Sequence, residues 1–154
     1  IRRGAYHFFR PEAPPGEQAR HFARTVQLES GDLPPVLDVE ITGGVPKTEL
    51  VQRLQVWLDI VETAYGIRPV IYSNLHFYNR YLAGHFTGYP LWIARYNERE
   101  PILACGNNWE FRQYGRHGRL PGIKGHVDFN VFSGSLSALD SLCIPAPGEL
   151  SSLR

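Results

Sequence analysis

The sequence contains no methionine, and its first residue is an isoleucine. No basic segment followed by a short apolar one stands near that end, so the chain carries no information about targeting. Cysteine is scarce, with only Cys105 and Cys143. Neither Cys-x-x-Cys nor any Cys/His spacing of the zinc-binding type occurs, which excludes a zinc ribbon or finger. One disulfide and two separate thiols both fit such a pair. No apolar run approaches the ~18 residues of a membrane-spanning helix, so no span is expected. An excess of one charge is also missing. The 16 basic and 15 acidic residues leave a formal charge of +1, too little to draw the whole surface to nucleic acid or anionic lipid. Basic residues do gather at Arg112, Arg116, Arg119 and Lys124, but glycines and aromatics interrupt them, and the group reads as a solvated loop.

What is present suits one folded domain. The 154 residues fall within the usual size of one unit. Eight Phe, eight Tyr and three Trp can fill a core, which excludes a disordered chain. The apolar pattern alternates between two periods. Strands are predicted at Gly4–Phe9, Val36–Glu40, Pro69–Ser73, Leu91–Tyr96, Asn108–Tyr114 and His126–Phe132. Helices are predicted from Glu17 to about Leu28, from a Thr48 cap to Tyr65 with Gly66 as the stop, from Asn74 to about Leu82, and at Ser137–Cys143. Gly115, Gly118, Gly122 and Gly125 are spaced as in a loop, and residues 145–154 read as a loosely held tail. Early strand–helix alternation argues for parallel strands with helices outside, and the helix-poor second half for an irregular α/β barrel. In such barrels the chemistry sits at the C-terminal strand ends.

Asp38 and Glu40 are the sharpest signal. Residues two apart on a strand share a face, with Cα atoms ~6.5–7 Å apart. Two close carboxylates in a partly apolar site raise the pKa of one partner. One acid then keeps its proton while the other is ionised, as glycosidic bond cleavage requires. Trp92, Ala94 and Tyr96 share another face, and small Ala94 leaves a recess between two flat rings that suits a sugar. His7 with Asp38 and Glu40 would instead suit a divalent metal, but Tyr6 and His7 point to opposite faces and only one of them can look into the barrel mouth.

Six ordered motifs carry a family resemblance. They are Gly4-Ala-Tyr-His-Phe-Phe9, Leu33-Pro-Pro-Val-Leu-Asp-Val-Glu40, Pro69-Val-Ile-Tyr-Ser-Asn74, Leu91-Trp-Ile-Ala-Arg-Tyr96, Arg112-Gln-Tyr114 and Val127-Asp-Phe-Asn130. In this order they resemble the glycoside hydrolase family 25 muramidases, the Chalaropsis-type lysozymes, over about residues 1 to 135. The resemblance implies an irregular TIM-like (β/α) barrel with few helices, about six of whose eight strands lie in this chain. It implies residues 1–144 as the catalytic domain. It also implies cleavage of the β-1,4 bond between N-acetylmuramic acid and N-acetylglucosamine in peptidoglycan. Carried over by motif, Glu40 matches the general acid, Asp38 its companion carboxylate and Asp128 the acid of the last strand. Tyr6, Tyr72, Trp92, Tyr96 and Gln113 match groove positions.

Family sequences begin with a strand carrying a further active-site Asp, then a second strand, before the Gly-Ala-Tyr-His motif. This chain opens just ahead of that motif. The resemblance therefore implies a truncated unit, unstable and poorly active by itself. No cofactor and no metal is expected, and the partner is the glycan strand, met by a monomer outside the cytoplasm where peptidoglycan lies. With Glu40 as proton donor, two routes stay open. In one, the substrate's 2-acetamido oxygen attacks while Asp38 polarises its N–H. In the other, an activated water inverts the centre. A glycan-binding module without catalysis and a metal-dependent hydrolase built on His7, Asp38 and Glu40 are the rival function classes.

Overall fold

The computed structural model describes residues 2–146. Six strands form one curled sheet in chain order: β1 (Tyr6–Phe8), β2 (Val36–Asp38), β3 (Val70–Asn74), β4 (Leu91–Ala94), β5 (Phe111–Gly118) and β6 (Val127–Phe132). The first five run parallel, and β6 returns antiparallel to β5 as a hairpin. Four helices accompany them: α1 (Pro15–Thr25), α2 (Lys47–Tyr65), the single turn α3 (Leu75–Phe77), which continues into a π-helical turn at Tyr78–Leu82, and α4 (Leu136–Leu142).

The core lies on the outer face of the sheet. Phe9, Leu37, Val39, Ile71 and Ile93 are all but completely buried there. Against them α2 presents Leu50, Leu54, Trp57, Leu58 and Val61, the stripe that a 3.6-residue period predicts. Trp57 is the hub. Its ring packs 5.5 Å from Phe22 of α1 and stacks 5.8 Å from His7 of β1. Gly66 ends α2 at φ 68°, the left-handed geometry that glycine adopts without strain, and its amide donates to the Glu62 carbonyl. A smaller cluster fills the bottom of the inner face, where Val36, Val70 and Phe111 meet Tyr72, Trp92, Phe132 and two leucines of α4, Leu139 and Leu142.

Several boundaries differ from the pattern in the sequence. Helix α2 begins at Lys47 after Pro46, and no side chain caps it, so Thr48 lies inside the first turn. Strand β5 runs on to Gly118 because its hairpin with β6 continues the ladder. Gly115 and Gly118 thus belong to a strand rather than a loop. Phe129 of β6 crosses directly over them, and a Cβ on Gly118 would stand 2.7 Å from that ring. Both cysteines are free thiols, Cys105 exposed and Cys143 buried. Of the tail read at 145–154, residues 147–154 lie outside the described residues.

Because Trp57 joins both long helices to β1, Trp57→Ala is expected to destabilise the chain by about 3–5 kcal/mol. Urea unfolding should show a lower midpoint at an unchanged slope.

Candidate active site

Strand alternation sorts the side chains into two sets. His7, Leu37, Val39 and Ile71 face the helices, and their sequence neighbours face inward. The register places Tyr6 beside Val36, Asp38 beside Tyr72, Tyr72 beside Trp92, and Gln113 between Ala94 and Asn130. A cleft of about 320 Å³ opens on this face. It is lined by Tyr6 from β1, Val36 and Asp38 from β2, Tyr72 from β3, Trp92 from β4, Gln113 from β5, and Asp128 and Asn130 from β6. Six of the eight residues that the sequence singles out therefore meet in one place.

The other two stand at its edge. Glu40 follows the end of β2, half-buried, and does not line the cleft, but its charge acts on Asp38. Tyr96 follows the end of β4 and is 49% exposed. It reaches the wall through Gln113, whose Oε1 accepts from the Tyr96 hydroxyl at 3.2 Å and from the Tyr72 hydroxyl at 2.5 Å. Burial, first of all, and the Tyr96 hydroxyl beside it push the Tyr72 phenol far above its ordinary range. Tyr72 thus stays a hydrogen-bond donor at any working pH.

The wall itself is aromatic. Trp92 meets Tyr72 edge-on at 6.0 Å and Phe111 at 5.1 Å. Its indole N–H donates to Asn130 Oδ1 at 3.0 Å, which orients the ring and joins β4 to β6. Val36 and Asn130 line the cleft although the motifs that contain them assigned neither a site role. The available signal was the spacing of two, from Asp128 to Asn130 and from Val36 to Asp38, which puts each pair on one face.

The perturbed carboxyl is Asp38. Burial, and then the charge of Glu40, raise it from 3.8 to about 7. Its Oδ1 is buried and has no hydrogen-bond partner among the described residues. An acceptor held in that condition prefers its proton and gains from any donor a ligand brings.

His7 is not brought to these acids. Its ring stacks on Trp57 behind the sheet, with Nε2 paired to Gln18 Oε1 at 3.0 Å. Among the described residues no three His, Cys, Asp or Glu side chains stand together as a metal would need. The metal triad of His7, Asp38 and Glu40 is therefore not assembled.

Comparison with known proteins gives the architecture a family. The model for glycosyl hydrolases family 25 matches residues 1–123. The chain belongs to glycosyl hydrolases family 25. Among similar proteins, YegX of Escherichia coli strain K12 is 45% identical over 139 residues, which cover 90% of this chain and 51% of that protein. Lysozyme M1 of Streptomyces globisporus is 34% identical over 157 residues, covering 92% of this chain and 53% of its own. The crystal structure of the bacterial lysozyme from Streptomyces coelicolor superposes with a TM-score of 0.84 at 30% identity, over 93% of this chain and 72% of that one. The chain spans about half the length of the curated relatives it matches.

The Asp38 carboxyl has a consequence for stability. Between its ordinary 3.8 and its folded value of about 7, the folded chain keeps a proton that the unfolded chain has released. Its contribution is fully present below the lower value and is lost as pH rises through the higher one. Asp38→Asn does not titrate, so it should gain on the parent between about pH 4 and about pH 8. The gain should be on the order of 1–2 kcal/mol, allowing for solvent screening of a half-buried carboxyl. Urea unfolding of both chains at the two pH values measures it.

Proposed function

We propose that this chain carries the catalytic cleft of a peptidoglycan hydrolase that cleaves the β-1,4 bond between N-acetylmuramic acid and N-acetylglucosamine. The observation that supports the reading best is the placement of Asp38, with Glu40 beyond it, at the C-terminal end of a parallel strand, beside a wall of Tyr6, Tyr72 and Trp92. Flat aromatic faces suit sugar rings, and strand-end carboxyls in a parallel sheet are where barrel enzymes keep their acids. Residues 1–144 form the catalytic unit in this reading, within an irregular (β/α) barrel of eight strands.

In this proposal the pair carries one proton, held by Asp38 in the free cleft. As the substrate N–H binds Asp38, the proton passes to Glu40, which donates it to the leaving glycosidic oxygen. The buried, unpartnered Oδ1 of Asp38 suits the companion role. Once ionised, it accepts from the N–H of the substrate's 2-acetamido group and turns the acetamido oxygen toward the anomeric carbon. That oxygen attacks as the glycosidic bond breaks, and water then opens the resulting ring. Asp128 and Asn130 hold the sugar from the opposite wall, while Gln113 fixes the Tyr72 and Tyr96 hydroxyls. The protein works as a monomer on glycan strands outside the cytoplasm and takes no part in nucleic-acid binding. No helix among the described residues is long and apolar enough to cross a membrane.

Glu40→Gln in the full-length protein should reduce release of new reducing ends from peptidoglycan by at least about 10²-fold, with glycan binding retained. Near-normal turnover would remove Glu40 from the acid role. A protein that binds glycan but never cleaves it, before or after the substitution, would be a binding module. In the same assays Trp92→Ala should weaken glycan affinity by about 10-fold, the equivalent of losing on the order of 1–3 kcal/mol of apolar contact. Unchanged saccharide affinity in folded material would place the sugar elsewhere.

A further inference from the structure

The basic residues of β5 and of its turn to β6 have no part in the chemistry above. Residues 111–127 contain Arg112, Arg116, Arg119 and Lys124 and no Asp or Glu. Burial divides them, with the hairpin register shifting between Gln113 and Gly118. Arg112 is buried, and its guanidinium donates to the Asn97 carbonyl. Arg116 goes to the rim of the cleft. Its guanidinium carbon lies 5.4 Å from the centre of the Tyr96 ring. Tyr96 in turn bonds Gln113 Oε1, the atom that also holds Tyr72 of the cleft wall. Arg116 is therefore one ring removed from the wall and fixed to it through a continuous chain of contacts.

Its charge is uncommitted. Arg116, Arg119 and Lys124 are exposed. None makes an ion pair among the described residues, whereas Arg2, Arg3, Arg10, Arg20, Arg53 and Arg68 all do. A guanidinium supported on an aromatic ring keeps its forked N–H donors for a planar anion, and a carboxylate matches that fork. The acids of the cleft, Asp38 and Asp128, lie on the strands either side of this rim. The site thus offers aromatic and acidic groups to the sugar and an unpaired cation just beside it. A neutral glycan bearing an anionic arm complements both parts.

We propose that Arg116, seated on Tyr96, recognises a carboxylate of the peptide arm that peptidoglycan carries on its muramic acid residues. Arg119 and Lys124, further along the same hairpin, add attraction over a longer range. The proposal rests on the reading of the cleft as a muramidase site and makes the protein selective for peptide-bearing over bare glycan.

The test measures binding of three probes to the full-length protein: a peptide-bearing glycan fragment, the same fragment freed of peptide with its lactyl carboxyls amidated, and the peptide-bearing fragment with its carboxyls amidated. The parent should prefer the first by about 3–5-fold at low salt, and added salt should erase the preference. Arg116→Gln should remove it without changing affinity for the peptide-free fragment, and Arg116→Lys should keep part of it. Equal losses on all three probes would show that Arg116 only supports Tyr96, and no loss on any would show that the arm lies elsewhere. Either result overturns the proposal and leaves the glycan site standing. A parent that binds none of the probes overturns the reading of the cleft, and this inference with it.

Discussion

Leu37 and Asp38 are neighbours in the chain and face opposite sides of one strand, and the rest of the structure depends on that alternation. On the helix side the sheet buries Leu37, Val39, Ile71 and Ile93 against α1 and α2. Burial of that apolar surface is the main stabilising contribution, at roughly 25 cal/mol per Å². The inner face is then free to present groups that a core would reject. Asp38 and Tyr72 stand there because Leu37, Val39 and Ile71 beside them are buried on the helix side, and Gln113 and Asp128 line the same cleft. A slip of one residue in β2 would exchange the two sets and put a carboxylate among the helices.

The inner face is not polar throughout. Val36, Val70 and Phe111 floor it, and α4 covers them with Leu139 and Leu142. This floor limits the access of water to Asp38. A carboxyl at a fully wetted strand end would titrate near its ordinary 3.8, whereas Asp38 is held at about 7. Gln113 provides the complementary order. One amide oxygen accepts two tyrosine hydroxyls, from Tyr72 of β3 and from Tyr96 just beyond β4, so a single buried side chain ties both rings to β5. The aromatic contacts of Trp92 with Tyr72 and Phe111 complete a wall whose parts come from three strands.

The sequence showed many of these parts one at a time. Short apolar and aromatic runs marked all six strands, and the stripe from Leu50 to Val61 marked α2. Ends were harder to read where the deciding partner is distant. Strand β5 extends to Gly118 because β6 pairs with it, and the glycines there are needed by Phe129 of the other strand. No local pattern distinguishes such glycines from those of a loop. The same applies to Arg112, Arg116, Arg119 and Lys124. They look like one solvated group along the chain, yet one is buried behind the sheet and another lies over Tyr96.

Adjacency along the chain determined which residues share a face. Asp38 with Glu40, Asp128 with Asn130, and Tyr6 opposed to His7 all follow from the two-residue repeat of a strand. Six ordered motifs likewise sufficed to indicate the family. Only the tertiary structure decided which face looks inward, that Tyr6 and not His7 enters the cleft, and that the raised carboxyl is Asp38. Those outcomes depend on strand register and on the depth of burial, which arise from contacts between segments tens of residues apart. A sequence pattern specifies the repeat of a strand. The packing of helices on one side of the sheet sets its orientation and the local polarity around each charge.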